Sequence, residues 1–332
     1  MNKIITLLTI ATLAIISCKQ KTAIEIKAEI EQLNGLLAKY DAPSQFYKFT
    51  SDSVVKVIGK KGTVITINPV DLMTENGKQI SNIIEVELKE LCNQHQMFLS
   101  NTQTVSNGKI LVSGGAYFIN IKSQGQQVKL KPQKTLKVEF PKLVKNKMTL
   151  FYGKRDRLGQ LNWEADPKIF KNKKNKNLYY FCSKEKYNYW CNGNHKKLTK
   201  EEADLVEKLY DEIELSNLGW INCDRFLEIK NKTNLNVNFA PSTKISTANI
   251  FLIFKDINSI MQTYHINENG KEHNSIFKNI PKDANLRLIA YTLKDNKIFI
   301  YSSDITIKEN ETLTLEMKET SAINFKTLLN NN

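Results

Sequence analysis

The sequence predicts a mainly β protein built as two antiparallel β-sandwiches. Short runs with period-two alternation recur along most of the chain, as in Ile84, Val86 and Leu88 against Glu85, Glu87 and Lys89. Turn signals separate these runs: Gly59-Lys60-Lys61-Gly62, Asn76-Gly77, Asn107-Gly108 and Asn269-Gly270. Helical spacing, by contrast, is confined to two stretches. The 332 residues suffice for about two domains at ~150 residues each. At 41% hydrophobic and 25% charged, the composition is globular and excludes a disordered or polytopic membrane protein. The expected division is a leader at 1–17, an anchor and helix at 18–43, a sandwich at 44–165, a connector at 166–218, a second sandwich at 219–319 and a tail at 320–332.

The chain opens on Met1-Asn2-Lys3 and an uncharged run from Ile4 to Ile16. That run falls short of the ~20 residues a spanning helix needs and fits the apolar region of a secretory signal peptide. Ile15-Ile16-Ser17-Cys18 resembles the lipobox of bacterial lipoproteins. The resemblance implies cleavage after Ser17, a lipid on Cys18 and a mature chain that begins there. An ordinary signal peptide with an incidental Cys is the plainer alternative. The lipid is the expected membrane attachment, because no later apolar run approaches spanning length. Basic residues after Cys18, without an acidic cluster, favour the periplasm-facing side of an outer membrane.

Ile26, Ile30, Leu33, Leu37 and Tyr40 then mark one helical face, ended by Asp41-Ala42-Pro43. Two heptads predict either a stalk or a helix docked on the body. From Ser44 the period becomes two. Val55 and Val57, Val64 to Ile67, Ile84 to Leu88, Ile110 to Val112, Ala116 to Ile121, Leu136 to Phe140, Met148 to Tyr152 and Leu161 to Trp163 are expected strands. Gly114-Gly115 interrupts one of them, which predicts a bulge or a close backbone approach.

Gly62-Thr63-Val64-Ile65-Thr66-Ile67-Asn68-Pro69, Ile84 to Leu88 and Gly114-Gly115-Ala116-Tyr117-Phe118-Ile119 resemble a ZU5-like β module. Such modules are associated with envelope lipoproteins of Bacteroidota, which also carry a segment like Leu218-Gly219-Trp220-Ile221-Asn222-Cys223-Asp224-Arg225-Phe226. Together these stretches touch about half of the mature chain. The resemblance implies a β fold and lipid anchoring and transfers no catalytic residue. Asn68-Pro69-Val70-Asp71 departs from the Ile-Pro-x-x-Ala/Phe pattern expected after that strand.

Lys168, Lys171, Lys173, Lys174 and Lys176 among Asn residues read as an exposed linker. Aromatic residues follow at Tyr179, Tyr180, Phe181, Tyr187, Tyr189 and Trp190. Their default place is a core, and a surface that stacks on sugar rings is the functional alternative. Thr199-Lys200-Glu201-Glu202 is a capping box and predicts a helix over 199–215. Trp220 to Ile229 is expected to open the second sandwich. Ile250 to Phe254 and Ile298 to Tyr301 are apolar enough for buried central strands.

Net charge is +14, with Lys interleaved among Asn, Ser and Glu as on a solvated surface. Export disfavours nucleic acid as a partner and leaves anionic lipids, glycans and envelope proteins. Besides Cys18 there are Cys92, Cys182, Cys191 and Cys223, an even count that permits disulfides. Cys182 and Cys191 flank a hairpin-like stretch and form the favoured bridge, with reduced, buried Cys as the alternative. The four His form no HExxH and the Cys form no CxxC, so neither metal nor cofactor is expected. Cys182, Cys191, His195 and Cys223 match no standard metal spacing. Cys92 and His95 are a conceivable Cys–His pair without a recognisable oxyanion loop, and no GxSxG elbow exists.

Trp220, Asn222, Asp224 and Arg225 form the candidate site. Polar groups bracketed by large apolar residues are expected to be buried and paired, either as a clasp between the sandwiches or as a ligand contact. The expected role is a lipid-anchored, non-catalytic binding or scaffold module for protein partners. Polysaccharide or peptidoglycan binding is the alternative, and a hydrolase with an unrecognised site is a second.

Overall fold

A computed structural model describes residues 23–171, 178–183, 186–191, 194–196, 208–268, 271–273 and 275–330. The protein is mainly β, and among the described residues every pairing between strands is antiparallel except one. The leader and Cys18 lie outside the described residues. No helix among the described residues is long and apolar enough to cross a membrane.

The largest sheet follows the order β1 (Gln45–Thr50), β5 (Ile83–Leu91), β7 (Lys109–Ser123), β16 (Gly219–Phe226), β10 (Thr149–Arg155) and β11 (Leu161–Ile169). The short strands β4 (Leu72–Thr74), β6 (Val105–Ser106) and β8 (Gln126–Leu130) join it off this path. Facing it is a four-stranded sheet of β15 (Ile213–Leu215), β9 (Leu136–Glu139), β3 (Val64–Ile67) and β2 (Val55–Ile58). Alternation builds the core between them. Ile84, Val86, Leu88, Tyr117, Ile119 and Ile221 point inward from one sheet, and Val57, Ile65, Val138, Phe140 and Leu215 from the other.

The second sandwich pairs two further sheets. One is β21 (Ser275–Pro281), β17 (Lys232–Phe239) and β24 (Glu311–Leu315), in which β17 and β24 run parallel. The other is β20 (Lys271–His273), β19 (Ile260–Glu268), β18 (Thr247–Phe254), β22 (Asn285–Lys294), β23 (Lys297–Thr306) and β25 (Lys318–Thr320). Every residue of β18 is buried, as its apolar run predicts, because it sits inside the sheet with both faces covered. Ile298 to Tyr301 behaves differently: only Ile300 of these four is fully buried, since β23 lies next to the edge strand β25.

A third core welds the two sandwiches. The outer face of the largest sheet supplies Leu91, Leu111, Phe151, Leu161 and Trp163, and the six-stranded sheet supplies Phe251, Ile253, Ile289 and Tyr291. Three helices fill the space between: α1 (Ala23–Ala38), α2 (Gln94–Leu99) and α3 (Ala322–Asn330). Leu33, Leu36 and Leu37 of α1, Met97 and Phe98 of α2, and Phe325 and Leu329 of α3 are buried there. Each such side chain contributes about 1.5–3 kcal/mol. The predicted helical face of α1 is therefore a docked face, and the helix is no stalk. Within the expected tail at 320–332, Ala322–Asn330 is likewise a packed helix, held by Phe325 against Tyr291.

Several boundaries differ from expectation. Gly219–Phe226 does not open the second sandwich; it is the strand between β7 and β10 in the first. The second sandwich begins at Lys232, and the first extends to Ile169 and resumes at Ile213. Of the helix predicted over 199–215, residues 199–207 lie outside the described residues, and Ile213–Leu215 is strand β15, drawn into extended form by pairing with β9. Gly114-Gly115 does not end a strand: β7 continues through it with a register shift.

Between β11 and β15 the chain makes a separate three-stranded sheet, β12 (Leu178–Ser183), β13 (Lys186–Cys191) and β14 (Asn194–Lys196). Its register opposes Cys182 to Tyr187 and Cys191 to Leu178. The two Cys are thus four positions apart along the ladder, about 13 Å at ~3.3 Å per residue. The side chains of Cys182 and Cys191, and with them the expected bridge, lie outside the described residues. Lys173, Lys174 and Lys176 lie outside the described residues.

Candidate functional site at the junction of the sandwiches

β16 places the predicted site residues by simple alternation. Ile221 and Cys223 face the core of the first sandwich, and Trp220, Asn222 and Asp224 face the junction. Asn222 and Asp224 have no exposed surface. Asn222 Nδ2 donates to Asp224 Oδ2 at 2.6 Å, and Ser113 Oγ donates to Asn222 Oδ1 at 3.1 Å. Gly115 N donates to Ser113 Oγ at 3.0 Å. From the second sandwich, Asn258 Nδ2 donates to the Ser113 carbonyl at 2.9 Å, and Ser113 N donates back to the Asn258 carbonyl at 2.8 Å.

The Gly pair makes this arrangement possible. Asn222 opposes Ala116 and Asp224 opposes Ser113, so Gly114 and Gly115 together oppose Cys223 alone, as in a β-bulge. Gly115 takes a φ of +122°, and a Cβ there would stand 2.6 Å from the Tyr117 hydroxyl.

Burial pushes the Asp224 carboxyl up to about 8, against the opposing effect of hydrogen bonds from Ser113, Gly114 and Asn222. Its Oδ1 is sealed without a partner. At neutral pH Asp224 is therefore mostly a neutral acid, and among the described residues no Lys or Arg forms an ion pair with it. Trp220 packs at a tilt against Phe118, with ring centroids 5.2 Å apart, and the Arg155 guanidinium lies 5.1 Å from its ring. Arg155 ties the β10–β11 turn to the loop after α2: Nη1 donates to the Asn101 carbonyl at 2.7 Å and to the Gly159 carbonyl at 2.6 Å. Arg225 points to the opposite side of β16 from Asp224, so the two do not pair.

Further polar contacts line both sides of the junction, and Gln262 N donates across it to Gln103 Oε1 at 3.1 Å. Gln103 Nε2 donates to the Leu161 carbonyl at 2.8 Å, Trp163 Nε1 to the Gln103 carbonyl at 2.6 Å, and Gln262 Nε2 to Asn249 Oδ1 at 2.9 Å. Thr104 N donates to the Ile260 carbonyl at 2.8 Å. Single-letter alternation gives no sign of Ser113, Gln103 or Asn258; Ser113 standing immediately before the Gly pair is the one signal that could have marked it.

The remaining thiols are poorly suited to chemistry. Cys92, just past the end of β5, and Cys223, on β16, are free. Burial, with Glu90 nearby, pushes Cys92 up to about 11, and burial also raises Cys223. Such a Cys92 holds its proton at neutral pH, so its spacing from His95 creates no activated nucleophile. No group of three or more His, Cys, Asp or Glu among the described residues is placed to hold a metal.

Open clefts indent the surface of the described residues. One of about 640 Å³ lies beside β1, lined by Asp52, Val70, Lys78, Ile80 and Lys131 among others. A second of about 520 Å³ runs along Glu75, Phe118, Lys129 and Leu218. A third of about 320 Å³ crosses the junction between Gln103, Asp156, Gln262 and Lys278.

No family model matches the chain, and no curated protein matches it. Among solved structures, the Bacillus anthracis TIE protein is similar at 10% identity over 85% of this chain and 42% of that one, with a TM-score of 0.18. This chain thus spans less than half of that protein, and a likeness at that score carries no argument about fold or function.

Proposed function

We propose that the protein is a lipid-anchored envelope lipoprotein of the ZU5-like kind that works as a non-catalytic binding or scaffold module for protein partners. The observation that carries the binding role is the surface beside β1. This strand pairs only with β5 among the described residues, so its other edge is open. Phe46 on it is 72% exposed, and Val70 in the adjoining cleft is 66% exposed. Exposed apolar side chains beside an unpaired strand edge suit a partner chain that adds a strand or packs an apolar segment. Lys48 and its ion pair with Glu85 at 3.0 Å guard the same strand against indiscriminate pairing.

The test is cross-linking in intact cells, purification and mass spectrometry, with Phe46→Asp and Val70→Asp variants alongside. A reproducible protein partner lost in both variants is the expected result. Recovery of glycan fragments alone overturns the reading in favour of polysaccharide or peptidoglycan binding. A partner kept by both variants moves the contact away from β1.

A further inference from the structure

We propose that one end of the first sandwich, woven from residues 59–62, 139–148, 170–171 and 208–211, binds a linear polymer of closely spaced phosphate groups. This face is separate from the β1 edge, and the proposal rests on neither the binding role given to that edge nor the lipid anchor.

Segments far apart in sequence are laced together there by their backbones. Pro141 and Leu209 form an antiparallel bridge, with Lys142 N donating to the Lys208 carbonyl at 2.6 Å and Tyr210 N to the Phe140 carbonyl at 2.9 Å. Phe170 N donates to the Met148 carbonyl at 3.0 Å, and Asp211 N to the Lys171 carbonyl at 2.8 Å. The β2–β3 turn closes on the same bridge, since a Cβ on Gly62 would stand 3.8 Å from Pro141 Cγ. This register sets Lys142 directly opposite Lys208, with Cα atoms about 5.5 Å apart. Like charges so opposed destabilise a strand pair. Lys60, Lys61, Lys145, Lys147 and Lys171 belong to the same segments and are exposed. Against these seven lysines stand three carboxylates: Glu139 and Asp211 in the segments, and Glu90 beneath the turn. Glu90 is buried and already accepts the Lys61 and Thr63 backbone N–H groups. Among the described residues, none of the seven lysines forms an ion pair. Folding thus gathers cations at a cost to stability and leaves them without an anion, as a site for a polyanion requires.

The side chains narrow the ligand. The segments contain no Arg, whose planar fork suits paired carboxylates, and the Lys ammonium is a point charge well matched to phosphate oxygens. Their aromatic residues, Phe140, Phe170 and Tyr210, are all buried, so no ring is offered to a nucleobase or a sugar face. Leu143 is the single large apolar residue exposed in them, too little to seat the face in a bilayer. None of the clefts described above is lined by the seven lysines, so the face offers several cations on an open surface rather than a pocket for one small anion. Repeated phosphates on an extended chain meet those terms.

The experiment titrates the full-length protein with long-chain inorganic polyphosphate over a range of NaCl concentrations. Orthophosphate, poly-glutamate and phosphatidylglycerol vesicles are titrated alongside. Polyphosphate is expected to bind, and orthophosphate is not. Lys142→Gln/Lys208→Gln is expected to weaken binding about tenfold and to lower the salt slope by about 1 for each lysine removed. Its melting temperature should equal or exceed the parent's, because the opposed charges are gone. Lys145→Gln/Lys147→Gln, on the loop alone, should weaken binding likewise. Lys318→Gln/Lys326→Gln removes the same charge from the second sandwich and α3 and should leave binding unchanged. An equal loss in that control would reduce the effect to net charge and overturn the site. Equal affinity for poly-glutamate overturns it in favour of an acidic protein segment, binding to vesicles in place of polyphosphate in favour of a bilayer, and absence of polyphosphate binding overturns it outright.

Discussion

Asn222 and Asp224 stand two residues apart on one strand and hydrogen-bond to each other at 2.6 Å in a site closed to solvent. The pair sits where the two sandwiches meet, beside the bond between Ser113 and Asn258. Its chemistry makes stability depend on pH. An unfolded Asp titrates near 3.9, and the folded Asp224 at about 8, so the folded chain binds the extra proton between those values. The stabilisation is fully present below about pH 4 and is lost as pH rises through 8, on the order of a few kcal/mol. Asp224→Asn keeps the shape and stays neutral. Melting temperatures at pH 5 and pH 8 are expected to fall in the parent and to converge in the variant. An unchanged pH slope in the variant would remove Asp224 as its source.

Gly115→Ala tests the bulge. A side chain at a φ of +122° is strained, and its Cβ would meet the Tyr117 hydroxyl at 2.6 Å. The expected cost is about 1–3 kcal/mol or more, seen as a lower urea midpoint. A midpoint equal to the parent's would show that β7 accommodates the change.

Glu90 secures the turn between β2 and β3. Its buried carboxylate accepts Lys61 N at 2.8 Å, Thr63 N at 3.1 Å and Gln45 Nε2 at 2.8 Å. Glu90→Gln sets an amide N–H against one of these donors and is expected to cost about 1–3 kcal/mol in chemical denaturation. Retention of full stability would mean that water replaces the lost acceptor.

Phe325→Ala addresses the weld between the sandwiches. Phe325 is fully buried, with Tyr291 at 5.6 Å and Tyr40 at 6.1 Å. Truncation is expected to cost about 3–5 kcal/mol. Because the core it joins is shared, calorimetry should show one transition at a lower temperature, and two separated transitions would refute the weld.

Local pattern made much of this legible. The alternation at Ile84 to Leu88 gave a half-buried strand, and Ile26, Ile30, Leu33 and Leu37 gave the buried face of α1. The Gly pair gave the bulge. Partnerships were hidden, because period and turn chemistry say how a strand is built and nothing of which strand it joins. Trp220 to Phe226 is an evident strand whose neighbours, β7 and β10, are set by long-range packing. The capping box at Thr199 similarly predicted a helix through Ile213, where pairing with Leu136–Glu139 prevailed over local propensity. The site was legible in part: Asn222 and Asp224 share a face as alternation requires, while Ser113 and Asn258 come from elements that no spacing connects.

The position of β16 also governs the order in which the molecule can be completed. The chain emerges from its amino end, so β7 and β10 exist long before the strand that must lie between them. Until Phe226 is available, the largest sheet is two fragments with facing unpaired edges, and α1 has no second sandwich to dock on. Assembly is thus deferred to the carboxyl half, which makes the nascent amino half the stretch most in need of protection from stray strand pairing.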